Sequence, residues 1–109
     1  MLQNLEQRNW ETPIYADFPR SEYDDRISRF RNHMQEEKID LLVIWDEKNA
    51  RYFTGFHNNL YHGGSFQPAV ILIPIDKEPV IIVPDFFCGV AEGYTYLNDI
   101  RLMVNPHVT

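Results

Sequence analysis

The sequence is poor in the residues that staple or specialise a chain. Cys88 is the only cysteine among 109 residues. It leaves no internal disulfide and no thiolate zinc cluster, and a lone thiol suits a reducing compartment, where it reads as a small buried apolar side chain. Cations are also few: 10 Lys and Arg stand against 16 Asp and Glu, for a net charge of −6, and they are scattered. With no basic stripe to neutralise phosphates, nucleic acid is not an expected partner. No apolar run approaches the roughly 20 residues that cross a bilayer, and Met1 to Trp10 is polar without an apolar core, so the expectation is a cytoplasmic chain with no membrane partner. There is no internal repeat, low-complexity tract or linker. What remains, 44% hydrophobic, suits one domain burying about two-thirds of its unfolded surface.

The apolar residues are concentrated in short runs. Leu41, Leu42, Val43, Ile44 and Trp45 read as a strand buried on both faces, the centre of a sheet. Asp46 can cap the helical turn that follows, and Gly55 supplies the backbone that ends it. Before this run, Tyr23, Ile27, Phe30 and Met34 recur at helical spacing, so a helix starts at Ser21, with Asp24 completing a capping-box-like start, and finishes near Glu37 or Lys38. Glu22 with Arg26 and Asp25 with Arg29 form surface i,i+4 pairs. After it, Ala69–Ile75 and Val80–Val83 flank the polar break Asp76–Pro79 as a β-hairpin, with Pro74 and Pro84 at strand ends. Asp85 can cap a short helix that pairs Phe86 with Val90 and Phe87 with Ala91 and stops at Gly93, and Asn98 to Val104 reads as a turn and a strand. Residues 1–20 carry Trp10, Tyr15 and Phe18 between prolines, an extended arm whose aromatics lie on the domain's own sheet or on another domain or subunit. The order predicts an α/β fold: a single domain with a mixed β-sheet flanked by helices.

Polar, aromatic and flexible residues gather in one place, the loop from Phe56 to Pro68, and a loop of that length is often functional. His57 and His62 are five apart with no carboxylate or thiol in the loop, so they lack metal-ligand spacing and no metal is assigned to them. Gly63, Gly64 and Ser65 have neither the glycine of a nucleophile elbow nor the lysine of a phosphate loop. Paired carboxylates occur only on the outer face of the first helix and at turns, where they solubilise. The residues themselves show a binding loop and no catalytic centre.

Asn49, Tyr52, Thr54, Gly55 and Phe56, preceded by Ile39 to Val43, form a pattern that resembles the N-terminal domain of the creatinase, prolidase and Xaa-Pro aminopeptidase family. Phe18, Pro19, Glu22, Tyr23 and Arg26, the hairpin ending at Val80 to Pro84, and Asn98 to Arg101 continue the likeness in the same order, over about residues 17 to 104. The resemblance implies a ribonuclease H-like mixed sheet, an arm over 1–20 and a domain over 21–109 that is truncated, and a parent hydrolase of C–N bonds: imido-peptide bonds at proline, or small amidino or ectoine-like compounds. It also implies that a pita-bread catalytic domain, with Asp, Asp, His, Glu and Glu holding a divalent metal pair, lies outside this stretch, which has no catalytic residue or cofactor of its own. Asn49, Tyr52, Thr54 and Gly55 would fix the turn. Phe56, His57, Tyr61 and His62 would meet a small-molecule or peptide substrate in the neighbouring subunit of a homodimer. The alternative is a free-standing binding or oligomerisation module built on the aromatic arm and the 56–68 loop.

Overall fold

Among the described residues the first helix, α1, spans Arg20–Glu37. Tyr23, Ile27 and Met34 are buried along one face and Phe30 packs partly buried among them, as their spacing predicts. The computed structural model describes residues 13–57, 69–84 and 88–103, the side chains of 88–90 excepted. The start of α1 departs from the expected capping box. Pro19 occupies the cap position in an extended conformation, its carbonyl accepts from the Glu22 N–H at 3.1 Å, and no side chain caps the first turn. Ser21 is thus already inside the helix, where its hydroxyl cannot serve as the cap. The other end falls at Lys38, which turns left-handed (φ 57°) so that its N–H reaches the Gln35 carbonyl and the Ile39 N–H reaches that of Met34, a Schellman closure.

The chain then alternates strand and helix: β1 Leu41–Ile44, α2 Glu47–Thr54, β2 Val70–Pro74, β3 Val80–Pro84, α3 Cys88–Tyr94 and β4 Asp99–Met103. Among the described residues these strands make one sheet in the order β1-β2-β3-β4. The first two pairings are antiparallel, with β2 and β3 the expected hairpin, and β3 with β4 is parallel, the crossover being α3. The register aligns Ile44, Ile71, Ile81 and Ile100 in a single row across all four strands. This row lies on the face that meets Ile27 of α1, Ala50 and Phe53 of α2 and Ala91 of α3. Ile44, Ile71 and Ile81 are buried. Each side chain taken out of water there contributes about 1.5–3 kcal/mol.

β1 corrects one expectation. Rather than a central strand covered on both faces, it lies at the edge of the described sheet and its burial alternates, Ile44 buried and Leu42 half-buried against exposed Leu41 and Val43. The described helices that make the core pack on one face, so among the described residues this apolar run is half exposed. Gly93 is a second correction, because it lies inside α3 and does not end it. Its carbonyl accepts from the Tyr15 N–H at 2.8 Å, and a Cβ there would stand 3.2 Å from the Tyr15 ring. It makes room for the arm. Tyr15 and Phe18 do lie on their own domain, on Tyr94 and Tyr23 of the helices instead of on the sheet. Trp10, Phe86, Phe87 and the proposed Asp85 cap lie outside the described residues.

Gly55 closes α2 with φ 85°, and a Cβ on it would sit 2.6 Å from the Tyr94 carbonyl oxygen and 3.0 Å from the Tyr23 hydroxyl. Gly55→Ala therefore carries both a left-handed strain and a clash with backbone, and should lose about 2 kcal/mol or more. Gly93→Ala meets only a movable ring and gains helix propensity, so its change should be under about 1 kcal/mol. Urea unfolding of both variants checks the contrast, and a Gly55→Ala midpoint equal to that of the parent would contradict it.

Candidate functional site

The corner from Asp46 to His57 is built almost entirely by short-range polar bonds. Asp46 accepts from the Asn49 N–H at 3.1 Å and both of its carboxylate oxygens accept from the Asn49 side-chain amide at 3.1 Å. Burial pulls the Asp46 pKa upward, but these bonds outweigh it and hold the carboxyl below its ordinary value. Thr54 is buried. Its hydroxyl donates to the Ala50 carbonyl at 2.6 Å and accepts from the Phe56 N–H at 3.1 Å, which carries the chain out of the helix. Asn49, Thr54 and Gly55 are thereby committed to the turn.

Phe56 has no exposed surface and packs in the core, so its ring anchors the mouth of the loop from inside. His57, the next residue, is half-buried. A carbonyl can only accept, so His57 Nδ1 donates its proton to the Gly55 oxygen at 3.0 Å. In a neutral ring this bond puts the proton on Nδ1 and makes Nε2 the acceptor. The ring stands edge-on to Tyr94 at 4.4 Å, and Tyr94 in turn stacks on Tyr15 at 5.1 Å. Tyr61 and His62 lie outside the described residues.

A second set of contacts, not visible in the sequence pattern, ties the arm and α1 to this corner. Arg51 donates twice to the Asp17 carboxylate, at 2.9 and 3.2 Å. Those hydrogen bonds, reinforced by the Arg51 charge, lower the Asp17 pKa and raise that of Arg51. Arg26 pairs with Glu22 as expected but does more: its guanidinium lies 4.3 Å from the Tyr52 ring centre and 4.8 Å from that of Phe18, and donates to the Tyr52 carbonyl at 2.8 Å. The partners are 26 and 34 residues apart, so helical spacing gave no sign of them. The i,i+4 position of Arg26 explains its bond to Glu22 alone.

Beside α1 an open groove of about 890 Å³, lined also by Phe53 and Thr54 of α2, runs between Arg20, Asp24 and Arg31 and the Thr95–Asp99 connection. Its arginines are engaged with backbone: Arg31 donates to the Pro74 carbonyl at 3.0 Å and to that of Lys77, and Arg20 to that of Tyr96 at 3.3 Å. They brace the hairpin and the approach to β4. Among the described residues no group of three or more His, Cys, Asp or Glu is placed to hold a metal ion, and no helix is long and apolar enough to cross a membrane. The geometry of the corner suits recognition: it fixes where a loop begins and which nitrogen His57 offers.

The model of the Creatinase/Prolidase N-terminal domain matches residues 26–106. The chain belongs to that family. Within it, an Xaa-Pro aminopeptidase from Streptococcus pyogenes superposes with a TM-score of 0.63 at 22% identity, over 79% of this chain and 60% of that one. The creatinase/prolidase N-terminal domain of an X-Pro dipeptidase from the same organism gives 0.62 at 18%, over 75% and 63%. An Xaa-Pro dipeptidase from Bacillus anthracis gives 0.63 at 20%, over 76% of this chain and 21% of that one. At such identities the likeness is one of fold. The chain spans about 60% of the length of the S. pyogenes aminopeptidase and about a fifth of the B. anthracis dipeptidase. No curated protein matches. The mixed sheet with helices described above is the creatinase N-terminal fold.

The Asp17–Arg51 pair gives a pH test. A carboxylate whose folded pKa is depressed adds stability that is present above its unfolded value, about 3.9, and is lost as the pH falls through the folded value. Asp17→Asn should cost less than about 1 kcal/mol at pH 7, since the pair is largely solvated. The gap to the parent should shrink as the pH falls below about 4. Urea midpoints at pH 7 and pH 3 measure it, and a gap that widens in acid contradicts the assignment.

Proposed function

We propose that this chain is the non-catalytic N-terminal domain of a metal-dependent hydrolase of C–N bonds, with Xaa-Pro peptides, or amidino or ectoine-like compounds, as the substrate class. The observation that carries the reading is the family match over residues 26–106, joined to the ordered Asn49–Phe56 motif. In this reading the domain contributes to a homodimer, and the loop that starts at His57 and carries Tyr61 and His62 reaches over the active site of the neighbouring subunit. The divalent metal pair and the bond-breaking step belong to a catalytic domain elsewhere in the protein. The hydrogen-bonded corner supports it, because a recognition loop is useful only when its base is fixed. The names of the S. pyogenes and B. anthracis proteins support the peptide branch of the substrate class.

The test is made on the full-length gene product. The coding frame should hold, beyond Thr109, a segment with two Asp, one His and two Glu metal ligands, and the product loaded with manganese should cleave Xaa-Pro dipeptides. A frame without such ligands overturns the reading. In that enzyme His57→Ala removes one hydrogen bond to substrate, worth about 0.7–1.4 kcal/mol, and should raise KM roughly three- to tenfold with kcat little changed. An unchanged KM would remove His57 from the loop's contacts.

A further inference from the structure

The half-buried ring of His57 is held at two points that differ in kind. Its Nδ1 is tied to the Gly55 carbonyl at 3.0 Å, but one hydrogen bond to one ring atom still lets the ring pivot there and sweep Nε2 along an arc. The second point is the Tyr94 ring, 4.4 Å away between centroids and inclined at 70°, an edge-to-face packing that aromatic rings favour. It removes the pivot only if Tyr94 is itself fixed. Tyr94 is the last residue of α3, and Tyr15 of the arm stacks on it with 5.1 Å between centroids and 29° between planes. Tyr15 in turn is placed by backbone. Gly93 lies in the last turn of α3, where a carbonyl has no partner within the helix, and this one accepts the Tyr15 N–H at 2.8 Å. A Cβ on Gly93 would stand 3.2 Å from Tyr15 Cδ2 and 3.6 Å from Cε2, so the ring takes the space that a larger residue would fill. Tyr15 remains 59% exposed. Burial gives so exposed a ring little weight in the core, and its ordered ring contact is with Tyr94.

We propose that Tyr15 is a positioning residue for His57: by clamping Tyr94 it fixes the direction in which His57 presents Nε2 as a hydrogen-bond acceptor. The path is a chain of consecutive contacts, Gly93 to Tyr15, Tyr15 to Tyr94 and Tyr94 to His57. A group that binds holds its geometry only when the residues behind it are themselves locked, and here the lock is supplied by the arm. The ligand group that Nε2 of the neutral ring can meet is a donor, an N–H or an O–H. One consequence rests on the hydrolase reading above: the arm then sets substrate affinity through the histidine and takes no part in breaking the bond. The clamp itself is a property of this chain and does not depend on that reading.

The experiment reads the His57 ring directly. The chain has four histidines, and His57→Gln identifies the signals of this one. In long-range proton–nitrogen NMR spectra of the neutral ring, the parent should show a protonated Nδ1 and a bare Nε2, with the carbon-bound protons displaced by the Tyr94 ring current. Tyr15→Ala should shrink that displacement and move the nitrogens toward the Nε2–H form, while far-ultraviolet circular dichroism stays that of the parent. Gly93→Leu, which fills the ring's place and leaves Tyr15 in the chain, should do the same. Tyr15→Phe keeps the stack, and Ile14→Ala alters a neighbour that is 75% exposed, so both should leave the His57 signals where they are. In the full-length gene product Tyr15→Ala should raise KM for an Xaa-Pro dipeptide roughly two- to fivefold with kcat little changed, and should add nothing in a His57→Ala background. Parent-like His57 signals in Tyr15→Ala overturn the proposal. So does a Tyr15→Phe or Ile14→Ala variant that disturbs them as much as Tyr15→Ala, or a KM effect that persists in full without His57. A gene product without peptidase activity removes the hydrolase reading, and the ring signals then still decide between a clamped and an unclamped histidine.

Discussion

At Gly55 three helices meet so closely that there is no room for a methyl group. The last residue of α2 has passed, the chain must turn left-handed, and the space a side chain would occupy is taken by the Tyr94 carbonyl oxygen of α3 and the Tyr23 hydroxyl of α1. The closeness is what allows the rest. Because α2 ends here and not a turn later, Phe56 drops into the core and His57 comes up beside Tyr94. Burial, and after it the Asp17 charge, pushes the Tyr23 phenol above its ordinary pKa, so the hydroxyl at this contact stays neutral across the physiological range. A buried phenolate without a hydrogen-bond partner would be costly, and a neutral hydroxyl less so.

The sheet transmits that local arrangement to the domain. Its isoleucine row gives each strand one large side chain at the same height, so the helices rest on an even apolar floor. Side-chain direction alternates along each strand, so a slip of one residue in any strand would turn its member of the row to the other face. The hairpin turn is held from outside as well, by Arg31 reaching the Pro74 and Lys77 carbonyls from α1. Thus α1 touches the sheet with its apolar face through Ile27 and Phe30 and steadies the hairpin with a charged side chain from its flank.

Most of this architecture was legible in the residues because it depends on local rules. The Asp46 cap, the Gly55 stop, the hairpin and the buried face of α1 each follow from neighbours within four residues. What could not be read was decided at longer range. Leu41–Trp45 looks like a central strand because an apolar run does not say how many of its faces are covered, and the described structure puts it at an edge. Ser21 resembles a cap in composition, but Pro19 had already begun the helix. Gly93 resembles a stop, yet it is small because Tyr15, 78 residues earlier, lies against it. The site shows the same division: Asn49, Thr54 and Gly55 announce a turn in the sequence, whereas the Arg51–Asp17 clamp and the Tyr15–Tyr94–His57 aromatic chain do not. Phe56 and His57 read alike as loop residues, and only packing separates them.

That separation bears on how such a domain contributes to a larger protein. Adjacent residues with opposite fates, one ring fully buried and the next half exposed with its tautomer set by a backbone carbonyl, make a sharp boundary between core and loop. A loop attached to a soft base would spend binding free energy on ordering itself each time a ligand arrived. Here the ordering is already present on one side: the turn is capped by Asp46, closed by Gly55 and anchored by Phe56. His57 stands edge-on to a tyrosine that the arm in turn supports. The arm is therefore joined to the loop's mouth through Tyr15 and Tyr94, and whatever holds residues 13–19 against α1 also holds His57. The Arg26 stack on Phe18, the Arg51 bonds from α2 to Asp17 and the Tyr96 hydroxyl donating to the Phe18 carbonyl at 3.0 Å all contribute to that grip. Loosening any of them should be felt first at the histidine, before it is felt in the sheet.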